Sequence, residues 1–198
     1  MRWSETLTLI RSDLDRLHAA INAGEESPGL ARYLVLLLTP ESSSLALYRL
    51  AHYFRLRGWQ RCAFFLYRLN LTLTGLDAHP DTRIGPGCLI VHPVGTVLFG
   101  TFGARLSIYA RVIVAADILR GRLSDAPVIG DDVVIGSMAS VLGQVSIADR
   151  VRISTCSLVD FSVSEPDTMV KCIPGDRVVL THKPTHAPPT TTIEGVST

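Results

Sequence analysis

The chain has 198 residues, 47% of them hydrophobic and 19% charged, with a formal net charge of +1 and a mean hydropathy of +0.29. This is the composition of a core-forming globular protein and excludes a disordered chain, while the near-zero net charge gives no electrostatic reason to expect nucleic acid or a membrane surface as partner. Cys62, Cys88, Cys156 and Cys172 have neither metal-ligand nor redox spacing, so no metal site is expected, and Glu5, Asp13 and Asp15 break up the only stretch that could act as a secretory signal, which makes the cytoplasm the expected compartment.

Residues 1–76 read as a helical domain. Ser27-Pro28 is a helix start, with serine as N-cap and proline at the first helical position. Ser42–Ser44 is expected to open the next helix, which carries Leu45, Leu47, Tyr48, Leu50, Ala51 and Phe54 and ends at Gly58. A further helix from Trp59 presents Phe64, Phe65, Leu69 and Leu73. The apolar run Tyr33–Leu38 is far too short to span a bilayer. Arginines 49, 55, 57, 61 and 68 interrupt the rest too often for a membrane segment. These helices are expected to pack on one another and on the element that follows.

Residues 77–175 carry a different rhythm. Ile129, Ile135, Val141, Ile147, Ile153 and Val159 stand six apart, with Val133, Ala139, Val145, Val151 and Ser157 at a second inward position. The same beat, in another phase, runs through Ile84, Ile90, Thr96, Phe102, Ile108 and Val114, with Cys88, Val94, Gly100, Leu106 and Val112 at the second position. Neither helix nor ordinary strand has a period of six. Short strands that turn a corner at each repeat and stack coil on coil, as in a parallel β-helix, do. Cys88 and Cys156 fall on this lattice and are expected to be buried thiols. The two phases are offset by three residues, so Ala115–Val128 reads as a loop extruded from one coil, in keeping with its Arg120, Gly121, Ser124, Asp125 and Pro127. From Asp176 the pattern decays, and residues 176–198 read as a flexible tail rich in threonine and proline. The fold class is therefore α+β, a helical domain followed by a β-helix.

Chemistry-bearing residues gather where helices give way to β-helix: Asp77-Ala78-His79-Pro80, Ile84-Gly85-Pro86-Gly87 and His92-Pro93. Asp77 and His92 are separated by most of one eighteen-residue coil, so both could reach one edge, where a carboxylate would fix the imidazole tautomer and ready it to take a hydroxyl proton. Local hydrogen bonding by each residue alone fits the spacing equally well. His79 is expected to cap its turn and His52 to lie at the helix interface.

Taken together, Tyr48-Arg49-Leu50-Ala51-His52, Asp77-x-His79-Pro80, Ile84-Gly85-x-Gly87, His92 and the later hexapeptides resemble the serine O-acetyltransferases, in their shorter bacterial form, over about residues 12–175. The resemblance implies a left-handed parallel β-helix, a homotrimer with sites at subunit interfaces, and acetyl-CoA, or another acyl thioester, in a groove between neighbouring β-helices. It implies His92 as the general base and Asp77 as its orienting carboxylate, with direct attack of an acceptor hydroxyl on the thioester and backbone N–H groups on the oxyanion.

Several positions depart from the family pattern. Val91 stands where an aspartate usually precedes the histidine, Asp125-Ala126 where an arginine–histidine pair sits in the extruded loop, and Ser27 where an acidic residue precedes a proline. These are the acceptor-binding positions, and their altered chemistry argues against free L-serine as acceptor, since each lost charge-assisted hydrogen bond is worth about 1.5–3 kcal/mol. On the donor side the resemblance places Ala115, Ser137, Ala139, Thr155 and Lys171 along the acyl-thioester groove. The triplets Ser137-Met138-Ala139 and Ser154-Thr155-Cys156 are bulkier than the family's glycine and alanine, and Cys172-Ile173-Pro174 replaces a Gly-x-Pro step. Bulk there could also suit an acyl carrier protein as donor. The function expected is O-acyl transfer, most simply O-acetyl transfer, to a small hydroxylated acceptor; the alternative is a degenerate relative serving as a scaffold.

Overall fold

The computed structural model describes residues 1–22, 29–116, 125–173 and 176–181, with Leu30 and residues 172–181 described by backbone alone. Four helices come first: α1 (Trp3–Ile21), α2 (Leu30–Leu36), α3 (Pro40–Leu56) and α4 (Gln60–Thr74). Helix α3 starts earlier than Ser42–Ser44, because Thr39-Pro40 supplies the same signal expected of Ser27-Pro28: proline at the first helical position, where its fixed φ and missing N–H cost nothing. The hydroxyls of Ser42 and Ser44 instead bond back to the carbonyls of Leu36 and Glu41. Helix α4 ends on Gly75 at φ 73°, a left-handed cap, and the chain passes straight into a strand, so the helical region closes at Thr74. Its packing face is not the one expected. Ala63, Asn70 and Thr74 are buried, and Asn70 Nδ2 donates to Ser44 O at 2.9 Å, while Phe65 and Leu73 stay exposed.

From Leu76 the chain winds into a prism of three parallel walls. The first wall holds β1 (Leu76–Ala78), β4 (Thr96–Leu98), β7 (Ile113–Ala115), β10 (Ser140–Leu142) and β13 (Leu158–Val159). The second holds β2 (Arg83–Ile84), β5 (Thr101–Phe102), β8 (Val128–Ile129) and β11 (Ser146–Ile147). The third holds β3 (Leu89–Ile90), β6 (Ser107–Ile108), β9 (Val134–Ile135), β12 (Arg152–Ile153) and β14 (Thr168–Ile173), with β15 (Asp176–Thr181) at its end. Register confirms the coil length: Ile84 pairs with Phe102, Ile90 with Ile108, and Ile135 with Ile153. Phe102 pairs with Ile129 across the segment expected to be extruded, so the coil closes on either side of an insertion. Ile90, Ile108, Ile135 and Ile153 form one continuous interior with Val114, Val141 and Val159.

One coil breaks the expected phase. Leu98, not Thr96, lies level with Val114, and Leu76 pairs with Thr96. The corner between β3 and β4 is two residues longer than its neighbours, and the next corner is correspondingly shorter. Both Thr96 and Leu98 are buried, and Val94, expected inside, is 62% exposed on the lengthened corner. That corner carries His92.

Two further expectations are corrected. Asp176–Thr181, read as tail, pairs antiparallel with β14; residues 182–198 lie outside the described residues. Cys88 is buried as expected, but Cys156 is exposed at a corner with φ 57°.

The helical domain is locked to the first coil by a buried ion pair. Arg49 on α3 donates Nε to Asp13 Oδ2 at 2.9 Å and Nη2 to Asp13 Oδ1 at 3.2 Å, and reaches the carbonyls of Ile84 and Gly85. Asp13 on α1 also accepts the Cys88 N–H at 2.8 Å. Burial holds the Asp13 carboxyl above the ordinary range even with Arg49 beside it. Tyr48 donates its hydroxyl to Thr82 O at 2.6 Å, and His52 Nδ1 lies 2.8 Å from Pro80 O. The Tyr48–His52 motif is thus the joint between the two parts of the fold.

Candidate active site

His92 sits on the edge between the third and first walls, in the lengthened corner that leads from β3 to β4. Its backbone is left-handed, φ 60°, an unusual state for a residue with a side chain. Its imidazole is 74% exposed, and Nδ1 lies 3.8 Å from Oε1 of Glu41. Glu41 belongs to the first turn of α3 and is mostly buried. No feature of the sequence marked it, because an acidic residue after Thr39-Pro40 is what any helix start favours.

Asp77 lies on β1, beside Val97 of β4, the strand that the His92 corner feeds. Gly95 N–H donates to Gly75 O at 3.0 Å, which ties the corner to the start of β1. Within the chain, however, Asp77 and His92 share no hydrogen bond. Asp77 Oδ1 accepts the Tyr67 hydroxyl from α4 at 2.7 Å, and burial together with this bond pushes the Tyr67 phenol up to about 12. His79 accepts the Asp81 N–H at 3.2 Å, the turn cap expected of it, and its ring is surrounded by Phe64, Tyr67 and Phe99. Burial lowers the His52 imidazole below its usual value.

The remaining expected site residues divide by edge. On the same edge as His92, each corner has the same left-handed step, at Arg111, Met138 and Cys156 on successive coils. The step that matches Arg111 on the His92 coil is Gly95, φ 73°, and Ser137 and Thr155 lie on this edge on later coils, on the corners that lead from β9 to β10 and from β12 to β13. Thr155 is exposed and Ser137 half-buried. Ala139 is on this edge too but is fully buried within the interior, so its methyl cannot line an outer groove, a correction to its expected place. Val91, just before His92, donates its N–H to Ile108 O at 2.8 Å and is half-buried. Asp125 and Ala126 lie on the neighbouring edge, where the extruded segment returns to β8 and Pro127 O accepts the Thr101 N–H. Ala115 ends β7 at that same edge, and its carbonyl accepts from Gly143 N at 3.0 Å. Within the chain these three are not brought to His92. Lys171 is exposed on β14, and Ser27 lies outside the described residues. Among the described residues no group of His, Cys, Asp and Glu could hold a metal, and no helix is long and apolar enough to cross a membrane.

No family model matches the chain. Curated relatives do. The serine acetyltransferase of Helicobacter pylori J99 is 33% identical over 151 residues, 74% of this chain and 86% of the relative. That of Mycobacterium tuberculosis H37Rv is 31% identical over 172 residues, 85% of this chain and 72% of the relative. The crystal structure of Neisseria gonorrhoeae serine acetyltransferase superposes with a TM-score of 0.78 at 28% identity, covering 92% of this chain and 69% of that one. A superposition of that quality over a chiral coil requires the same hand and the same order of helical domain and prism. A six-residue rhythm, three parallel walls, a histidine on a lengthened corner and these likenesses converge: the chain belongs to the serine acetyltransferase family of left-handed β-helix, hexapeptide-repeat acyltransferases.

Proposed function

We propose that the protein transfers an acetyl group from acetyl-CoA to the hydroxyl of a small acceptor other than free L-serine, with His92 as general base. The observation that carries this reading is the placement of His92: an exposed imidazole on an elongated corner, facing a carboxylate, at the foot of the edge that bears Ser137 and Thr155. In the proposed reaction the acceptor hydroxyl loses its proton to His92 as its oxygen attacks the thioester carbonyl. The tetrahedral oxyanion is met by backbone N–H groups of the corner, and collapse expels the thiolate, which takes the proton back from the imidazolium. Asp77 is proposed to stabilise that imidazolium from the first wall, with its Tyr67 bond fixing the carboxylate in place. Thr155, Ser137 and Lys171 are proposed to line the donor arm. Nothing favours an acyl carrier protein over acetyl-CoA as donor.

The proposal on the acceptor rests on Val91 and Ala126. A valine and an alanine can make no charge-assisted bond to an ammonium or a carboxylate. Losing two such bonds costs about 3–6 kcal/mol, enough to remove useful serine affinity. The homotrimer is likewise proposed, because Asp125, Ala126 and Ala115 occupy the edge next to that of His92 and would reach it only from a neighbouring copy. Thiol release from acetyl-CoA across a panel of hydroxylated metabolites, with serine included and His92→Ala as control, tests the reading. Turnover on an acceptor other than serine, lowered about a hundredfold or more by His92→Ala, supports it. Wild-type turnover in that variant overturns it.

A further inference from the structure

We infer that Glu41 is the positioning residue for His92, holding the imidazole from its Nδ1 side so that Nε2 faces the acceptor; the inference rests on the reading of His92 as the general base. The backbone at His92 is fixed by its left-handed corner, but the ring is 74% exposed and needs an anchor of its own. An unanchored imidazole samples rotamers and both tautomers, whereas a base needs one of each. The structure offers two carboxylates. Asp77 is engaged by the Tyr67 hydroxyl at 2.7 Å, and its strand faces the corner from the first wall. Glu41 approaches from the helical side, with its Oε1 3.8 Å from Nδ1. That separation is longer than a closed hydrogen bond, as is common for catalytic pairs before substrate arrives.

The element that carries Glu41 is itself held in place. It is mostly buried, its carbonyl accepts the Ser44 hydroxyl at 2.9 Å, and α3 is pinned to the first coil by Arg49, Tyr48 and His52. The helix that carries Glu41 is therefore tied directly to the first coil. Other charged groups near this edge are Asp77 and, one coil on, Arg111, whose stem packs beside Gly95. Asp13, on α1, is saturated by Arg49. None of these meets Nδ1.

The test uses the full chain with Glu41→Gln, Glu41→Asp and Asp77→Asn, and His92→Ala as reference. Nitrogen-15 NMR of histidine-labelled protein reports the His92 tautomer without any acceptor, the resonance being assigned by its loss in His92→Ala. Thiol release from acetyl-CoA reports kcat and KM. The inference expects the wild-type neutral ring to carry its proton on Nδ1, Glu41→Gln to mix the tautomers and lower kcat about tenfold or more with KM for acetyl-CoA unchanged, and Glu41→Asp to restore part of both. A tautomer unchanged in Glu41→Gln overturns it, as does a tautomer that moves only in Asp77→Asn. A rise in acceptor KM with kcat unchanged also overturns it, by making Glu41 a binding group. Full activity in His92→Ala would instead remove the general-base reading and leave the tautomer result standing as a separate fact.

Discussion

Arg49→Leu tests the joint on which the site is built. Arg49 is 1% exposed and Asp13 4% exposed, and their two contacts at 2.9 and 3.2 Å are supplemented by bonds from Arg49 to two carbonyls of the first coil. Leucine fills much of the volume but leaves the Asp13 carboxylate buried without its counter-charge, held by backbone N–H groups such as that of Cys88, and strips both carbonyls of a donor. Breaking a buried pair from one side costs about 3–5 kcal/mol, which for a chain of this size lowers Tm by roughly 6–20 °C. The loss also has a pH signature. Burial already raises the Asp13 carboxyl above its ordinary value, and removing Arg49 raises it further. A raised carboxyl is neutral and harmless at low pH, and its cost appears as pH climbs through the ordinary carboxylate range toward the folded value. Thermal unfolding from pH 4 to pH 8 should therefore show the smallest deficit at the acid end and a growing one above it, and Asp13→Asn in the Arg49→Leu background should flatten that dependence. A deficit under about 1 kcal/mol, or one independent of pH, would refute the reasoning. Activity should fall with stability, because α3 carries Glu41 to His92.

Two other outcomes follow from buried polar groups. Thr96→Val removes an Oγ1 that has no hydrogen-bond partner in the interior and should raise stability by about 1 kcal/mol, seen as a Tm higher by about 2–4 °C; a lower Tm would show that the hydroxyl is satisfied. His52 has its imidazole held below the ordinary value by burial, so it contributes stability that is present above about pH 6.5 and is lost as pH falls toward the folded value, because the unfolded chain takes the proton first. The fall in Tm between pH 7 and pH 5 should be shallower in His52→Gln, and an equal slope in the two proteins would contradict this.

Much of this fold can be read from the chain because a six-residue period has few physical solutions. Ile129 to Val159 all proved interior, and the phase shift located the insertion between β7 and β8. The period failed where the coil changed length. Thr96 satisfies the spacing, yet Leu98 fills the level of Val114, because two residues were added at the His92 corner and removed at the next. The same lengthening that defeats a periodic reading frees the corner for His92. In the helical domain, the pairing of Asp13 with Arg49 gave no signal, since a buried ion pair between residues 36 apart has no local signature. Asp176–Thr181 escaped notice because its strand runs against the direction of the solenoid. Of the residues proposed for the site, His92 was singled out by its motif. Glu41 was not, since its meeting with His92 exists only after α3 docks on the first coil.

The central claim is most directly tested by acetyl transfer itself. Purified protein incubated with acetyl-CoA and a panel of hydroxylated compounds, with product detected by mass, should yield an O-acetylated compound other than O-acetylserine, formed by the wild type and lost in His92→Ala. O-acetylserine as the main product would contradict the assignment of the acceptor, and equal product from the two proteins would contradict His92 as the base.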